Sequence, residues 1–149
     1  MLSNVLEEIA TVLRQDIGGA LAADGIDAEI EPRLVMSPSE AIVIDVYPGA
    51  PSRDSEAAAF GDISGFYVVT VRARANVNDS NEAQDILRDM IDDQHDLSVA
   101  ACLESDPTLN GYATGVWVDA DGFSGLLEFN PGSPMVGCTW RVLVGAAVS

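Results

Sequence analysis

Two arginines, Arg72 and Arg74, stand one residue apart in "VVTVRARANV", and an acid-rich segment, "NDSNEAQDILRDMIDD", follows at once. They are two of only seven basic side chains in the chain, none of them a lysine. Arginines set beside carboxylates fit a small catalytic site. They fit equally well a surface by which the chain assembles with copies of itself, and pairing with acids of the same chain is the plainer alternative.

The other candidates for chemistry are isolated. Cys102 in "SVAACLE" and Cys138 in "VGCTWRVLV" lie in apolar contexts and read as small buried hydrophobes in a reducing compartment. His95, the only histidine, falls at the end of an acidic helical pattern, where a cation suits the helix dipole. "VDADGF" resembles the start of a calcium loop at Asp119, Asp121 and Gly122, but its glycine comes too early; a hairpin turn is the better reading. Glu82, Asp85, Asp89 and Asp92 share one helical side, as a solvated acidic face does. Neither a Gly-rich phosphate loop nor a G-x-S-x-G elbow occurs. The residues therefore predict no catalytic residue, no cofactor site and no metal site.

Composition narrows the partners. The chain of 149 residues suits one domain, 1–149, able to bury roughly 68–70% of its unfolded surface. A hydrophobic content of 48% argues for a packed core. With 24 acids against seven arginines the net charge is -17, which disfavours binding to nucleic acid or to anionic membranes. Self-association then needs an apolar interface or added cations. The N-terminal "MLSNVLEEIA" lacks a secretory pattern and no apolar run reaches membrane-spanning length, so a protein used in solution is expected.

Periodicity places these residues on elements. Leu2, Val5, Leu6, Ile9, Val12, Leu13, Ile17 and Leu21 predict a long N-terminal helix, 3–23, weakened at Gly18-Gly19 and ended at Asp24-Gly25. Strands are expected at 26–31, 41–47 and 66–77. In the last, Tyr67, Val69, Val71, Ala73, Ala75 and Val77 share one face; the other starts apolar at Phe66 and Val68 and ends basic at Arg72 and Arg74. A long Pro- and Gly-bearing loop spans 48–65. Asp79 and Glu82 form a capping pair for an amphipathic helix, 80–93, whose apolar stripe is Ala83, Ile86, Leu87, Met90 and Ile91. A short helix, 98–104, follows, then a strand at 111–120, a hairpin turn at Asp121-Gly122, a strand at 123–130, a "PGSP" turn and a last strand at 135–146. The class is α+β: a mixed or antiparallel sheet with the N-terminal helix and the second amphipathic helix packed on it, plus the long loop.

This order of elements resembles the tail terminator proteins of long-tailed, siphovirus-type bacteriophages. The stretches that carry the likeness are "VVTVRARANVNDSNEAQDILRDMIDD", with Ala83-Gln84 near the helix start, and "SVAACLESDPTLNGYATGVWVDA", with the turn Leu109-Asn110-Gly111. The likeness covers nearly the whole chain, roughly 3–146. It implies a structural virion protein, not an enzyme, assembled in the host cytoplasm and placed at the head-tail junction. Such proteins form a ring, usually a hexamer, on the head-proximal end of the tail tube; they end its growth and allow head joining. The implied partners are further copies of the chain, the tail tube protein and a head-completion or neck protein, with DNA passing through the ring unread. On this reading Arg53, Asp54 and Phe60 of the long loop, with Arg72 and Arg74, contact a neighbouring subunit or the tube, and Arg72→Glu should leave the monomer folded but block the ring. A neck connector of the same phage class and a small enzyme or ligand-binding domain are the alternatives.

Overall fold

The computed structural model describes residues 2–35, 42–49, 66–76, 80–92, 97–130 and 133–146. The N-terminal helix runs without a break through α1 (Leu2–Leu13), a π-helical segment (Arg14–Gly18) and α2 (Gly19–Ala23). Spacing explains the π segment. Val5, Ile9, Leu13, Ile17 and Leu21 recur every fourth residue and all are buried. In a regular α-helix a step of four residues overshoots a full turn by about 40°. A wider turn takes that drift back and returns Ile17 and Leu21 to the core side. The helix ends as the sequence predicts: Gly25 takes φ 77, and the N–H groups of Gly25 and Ile26 donate to the carbonyls of Ala22 and Leu21 at 3.0 and 2.9 Å. These are the two bonds of a Schellman cap.

Five strands form one mixed sheet: β1 (Ala28–Glu31), β2 (Ile42–Pro48), β3 (Phe66–Asn76), β4 (Ala113–Asn130) and β5 (Ser133–Ala146), in the order β1-β2-β3-β5-β4. Only β1 and β2 are parallel. Two further helices, α3 (Ser80–Ile91) and α4 (Val99–Glu104), pack with α1 against one face of this sheet. The α+β class and its layering are thus as expected from the sequence. The core between helices and sheet holds Ile42, Ile44 and Val46 of β2, Val69, Val71, Ala73 and Ala75 of β3, and Cys138, Trp140, Val142 and Val144 of β5. The parity assigned to β3 from its alternation is the observed one.

Two expectations around the last strands fail. Asp121-Gly122 is not a hairpin turn: β4 runs straight through it as one strand of 18 residues. The register shifts there, Ala120 facing Trp140 and Gly122 facing Thr139, so Asp121 is an extra residue of a bulge. Glycine inside a strand often marks a bulge. The "PGSP" turn is shorter than expected, since Ser133 and Pro134 already belong to β5 and Ser133 pairs with Asn130. Residues 131 and 132 lie outside the described residues. So do 50–65 of the long loop with Arg53, Asp54 and Phe60, the capping residue Asp79, and His95.

A tight turn at residues 109–111 launches β4. Leu109, Asn110 and Gly111 are all left-handed, with φ of 45, 58 and 92. Leucine resists that region, and full burial of its side chain in the core holds it there. On the outer edge of the sheet, Glu104 of α4 accepts from the Val118 N–H at 3.2 Å, capping one donor of the edge strand.

Candidate functional site

The face of the sheet turned away from the helices carries the side chains that sequence reasoning singled out. Register sets them in rows across β2, β3, β5 and β4. At one end Asp45 stands opposite Arg72, with Val43 and Arg74 in the next row. In the middle Tyr47, Thr70, Arg141 and Asp119 align. At the other end Val68, Leu143 and Trp117 align, and Phe66 follows opposite Gly145.

The basic end is closed. Arg72 Nη2 donates to Asp45 Oδ2 at 2.6 Å, and Arg74 Nη2 lies 2.9 and 3.0 Å from Asp45 Oδ1 and Oδ2. Arg74 also donates to the Val35 carbonyl at 3.0 Å, which ties the segment after β1 onto this face. The side chains of Asp45 and Arg74 are 0% exposed and that of Arg72 16%. The Arg72 guanidinium also sits 5.6 Å from the centre of the Tyr47 ring, within cation–π range. Pairing within the chain, the alternative for these two arginines, is what the structure contains, and Arg74 keeps no exposed surface with which to touch a neighbour. The reason is the sheet itself: opposite registration of Asp45 and Arg72 puts acid and bases on one face, and removing them from water together costs less than removing either alone. Arg72→Glu would set a second carboxylate against buried Asp45, so loss of assembly in that variant would no longer isolate an interface.

Asp45 was the residue sequence reasoning missed. Its signal was legible: a lone acid in the otherwise apolar "AIVIDVY" needs a buried cation, and two arginines stood one strand away. The cluster also fixes register, since a slip by one residue between β2 and β3 would turn Asp45 into the apolar core.

The apolar end is open. Trp117 is 52% exposed, the large hydrophobic side chain with the most exposure among the described residues. Its ring lies over Gly115, where an added Cβ would sit 2.7 Å from Cη2. Phe66 meets it from β3, ring centres 5.7 Å apart and planes tilted by 60°. The strand between them carries Gly145 at this row, and the lack of a side chain there lets the two rings touch across β5.

The cysteines are inert. Both are free and buried. Burial pushes the Cys138 thiol from 9.0 up to about 12. Burial, helped by the Asp16 carboxylate 3.4 Å from Sγ, does the same to Cys102. Neither offers a thiolate near neutral pH. The folded chain holds these protons more tightly than the unfolded one. Their contribution is therefore complete below pH 9 and lost as pH rises from about 9 toward 12. At pH 10 the loss should be about 1 kcal/mol per thiol. Urea unfolding at pH 7 and pH 10 should show it, and a Cys102→Ala, Cys138→Ala double variant should lose less.

Among the described residues no group of three or more His, Cys, Asp or Glu could hold a metal ion, and no helix is long and apolar enough to cross a membrane. A depression of about 210 Å³ beside the π segment is lined by Arg14, Gly18, Ala22, Ile26, Asp27, Ala28 and Ile30, with Arg14 engaged by the Ile30 carbonyl. No protein-family model matches the chain, and no curated protein matches its sequence.

Proposed function

We propose that this chain is a structural assembly protein, a tail-terminator-like subunit that closes into a ring on the head-proximal end of a phage tail tube, ends its growth and offers a surface for head joining. The observation that carries the assembly reading is the two-sided character of the sheet. Helices cover one face, while the other leaves Trp117, in contact with a half-buried Phe66, open to water on a chain of net charge -17. A half-exposed tryptophan packed at a tilt against a second ring is costly to leave wet and is the kind of anchor that protein interfaces use. The phage-tail part of the reading rests on the resemblance of "VVTVRARANVNDSNEAQDILRDMIDD" and "SVAACLESDPTLNGYATGVWVDA" and of the element order. The acidic surface suits a ring through which DNA passes without sticking.

Native mass spectrometry over a concentration series, with and without a divalent cation and then with purified tail tubes, tests it. A closed ring near six chains, or one that forms on the tube end, supports the reading. A chain that stays single under all of these conditions overturns it, and capture by a portal-side protein but not by the tube transfers it to a neck connector.

A further inference from the structure

Six of the seven arginines lie among the described residues, and five of them face carboxylates: Arg14 and Arg33 meet Glu31, Arg72 and Arg74 meet Asp45, and Arg88 meets Asp85. Arg141 is the exception among them. It stands in the middle of β5 on the outer face, half-buried, between Thr70 and Asp119 in register. Asp119 is directly opposite yet closes no ion pair with it. The next row toward the open end is Val68, Leu143 and Trp117, with Phe66 beyond. A cation without a carboxylate thus borders the exposed Trp117 and its half-buried partner Phe66, on a chain whose surface is otherwise dominated by acids.

We infer that this patch is where one copy of the chain seats on the next: Phe66 and Trp117 lose water against the neighbour, and Arg141 receives a carboxylate from the neighbour's helical side. This deepens the ring reading and rests on it. Charge selects the occupant. An apolar surface with one cation at its border selects a partner that is apolar and locally acidic. The chain itself carries 24 acids against seven arginines, and its helical side exposes acids, among them Asp85 of α3, paired with Arg88 at 3.0 Å, and Asp92 just past the end of that helix. Two copies at -17 repel in most orientations. The orientation that brings an acid onto Arg141 while burying both rings gains attraction and apolar burial together, so like charge elsewhere enforces one geometry. The outer sheet face and the helical side are different surfaces on opposite sides of the domain. Contact between them is heterologous, which propagates head to tail and closes into a ring when the rotation allows, rather than stopping at a two-fold dimer.

Trp117 supplies the readout. Trp140, the other tryptophan, is fully buried, so acrylamide quenching of the folded chain reports mainly on Trp117. Wild type, Trp117→Ser and Arg141→Glu would be compared by quenching and native mass spectrometry over a concentration series, then with tail tubes added. Circular dichroism and urea midpoints would establish that each variant is folded. The expected result is that Trp117 becomes protected as the mass rises, and that each variant needs at least tenfold more protein to associate with its midpoint little changed. If the wild type forms rings and both variants form them equally well, or if Trp117 stays quenchable in the ring, this surface is overturned while the ring reading stands. If protection appears only when tubes are added, the patch belongs to the tube protein and the second-copy assignment is overturned. If the wild type stays single throughout and no protection appears, both fall.

Discussion

Asp45→Ala is expected to destabilise the fold by about 3–5 kcal/mol, read as a fall in the urea midpoint at neutral pH. Asp45 is wholly buried, and its two carboxylate oxygens accept from both Arg72 and Arg74 at 2.6 to 3.0 Å. Alanine removes the carboxylate and leaves the Arg74 charge at 0% exposure without that counter-ion, though still donating to the Val35 carbonyl. A buried charge that loses its partner keeps the full cost of its lost hydration. Asp45→Asn should cost less, because one carbonyl oxygen of the right shape remains to accept a hydrogen bond. The double change Asp45→Leu, Arg74→Met should recover much of the loss, since an apolar pair of similar volume carries no desolvation cost. If the single alanine variant unfolds within about 1 kcal/mol of wild type, the cluster is not the tie between β2, β3 and the Val35 segment that its geometry suggests.

Trp140 should show a second large effect with a different internal pattern. Its side chain is fully buried on the helix side of β5, opposite Val71 of β3. Trp140→Ala removes the largest of the fully buried side chains and should cost about 3–5 kcal/mol through lost burial and the cavity left behind. Trp140→Phe should cost much less than its loss of volume implies. The indole Nε1 is buried and has no hydrogen-bond acceptor. An unmet buried donor costs about 1–3 kcal/mol, and phenylalanine has none to bury. The comparison of the two variants by chemical denaturation isolates that donor: a phenylalanine variant as unstable as the alanine one would show that indole volume, not its polar atom, dominates.

Much of the fold was readable because the elements announce themselves locally. The β3 alternation fixed which side chains face the helices, and the Ser98 hydroxyl that caps α4, accepting from the Ala101 N–H at 3.1 Å, closes the helix that the sequence placed there. The Asp24-Gly25 stop needed only the left-handed conformation that glycine adopts freely. The Asp121-Gly122 bulge was misread because an Asp-Gly pair is found at tight turns and glycine also marks bulges. What separates them is whether the chain reverses, and pairing with β5 through Phe123 opposite Cys138 decided that it does not.

The candidate site divides in the same way. Sequence alone determined that β3 has a face running from apolar at Phe66 and Val68 to basic at Arg72 and Arg74, since alternation is a property of an extended chain. It could not determine which end meets water. That depends on what the neighbouring strands bring into each row. β2 brought Asp45 to the arginines and closed the basic end, while β5 and β4 brought Gly145 and Trp117 to Phe66 and left the apolar end open. The π segment is the same lesson in the helix: Val5, Ile9, Leu13, Ile17 and Leu21 are visible in the sequence, but only the tertiary core buries all five, and the backbone widens over one turn to allow it.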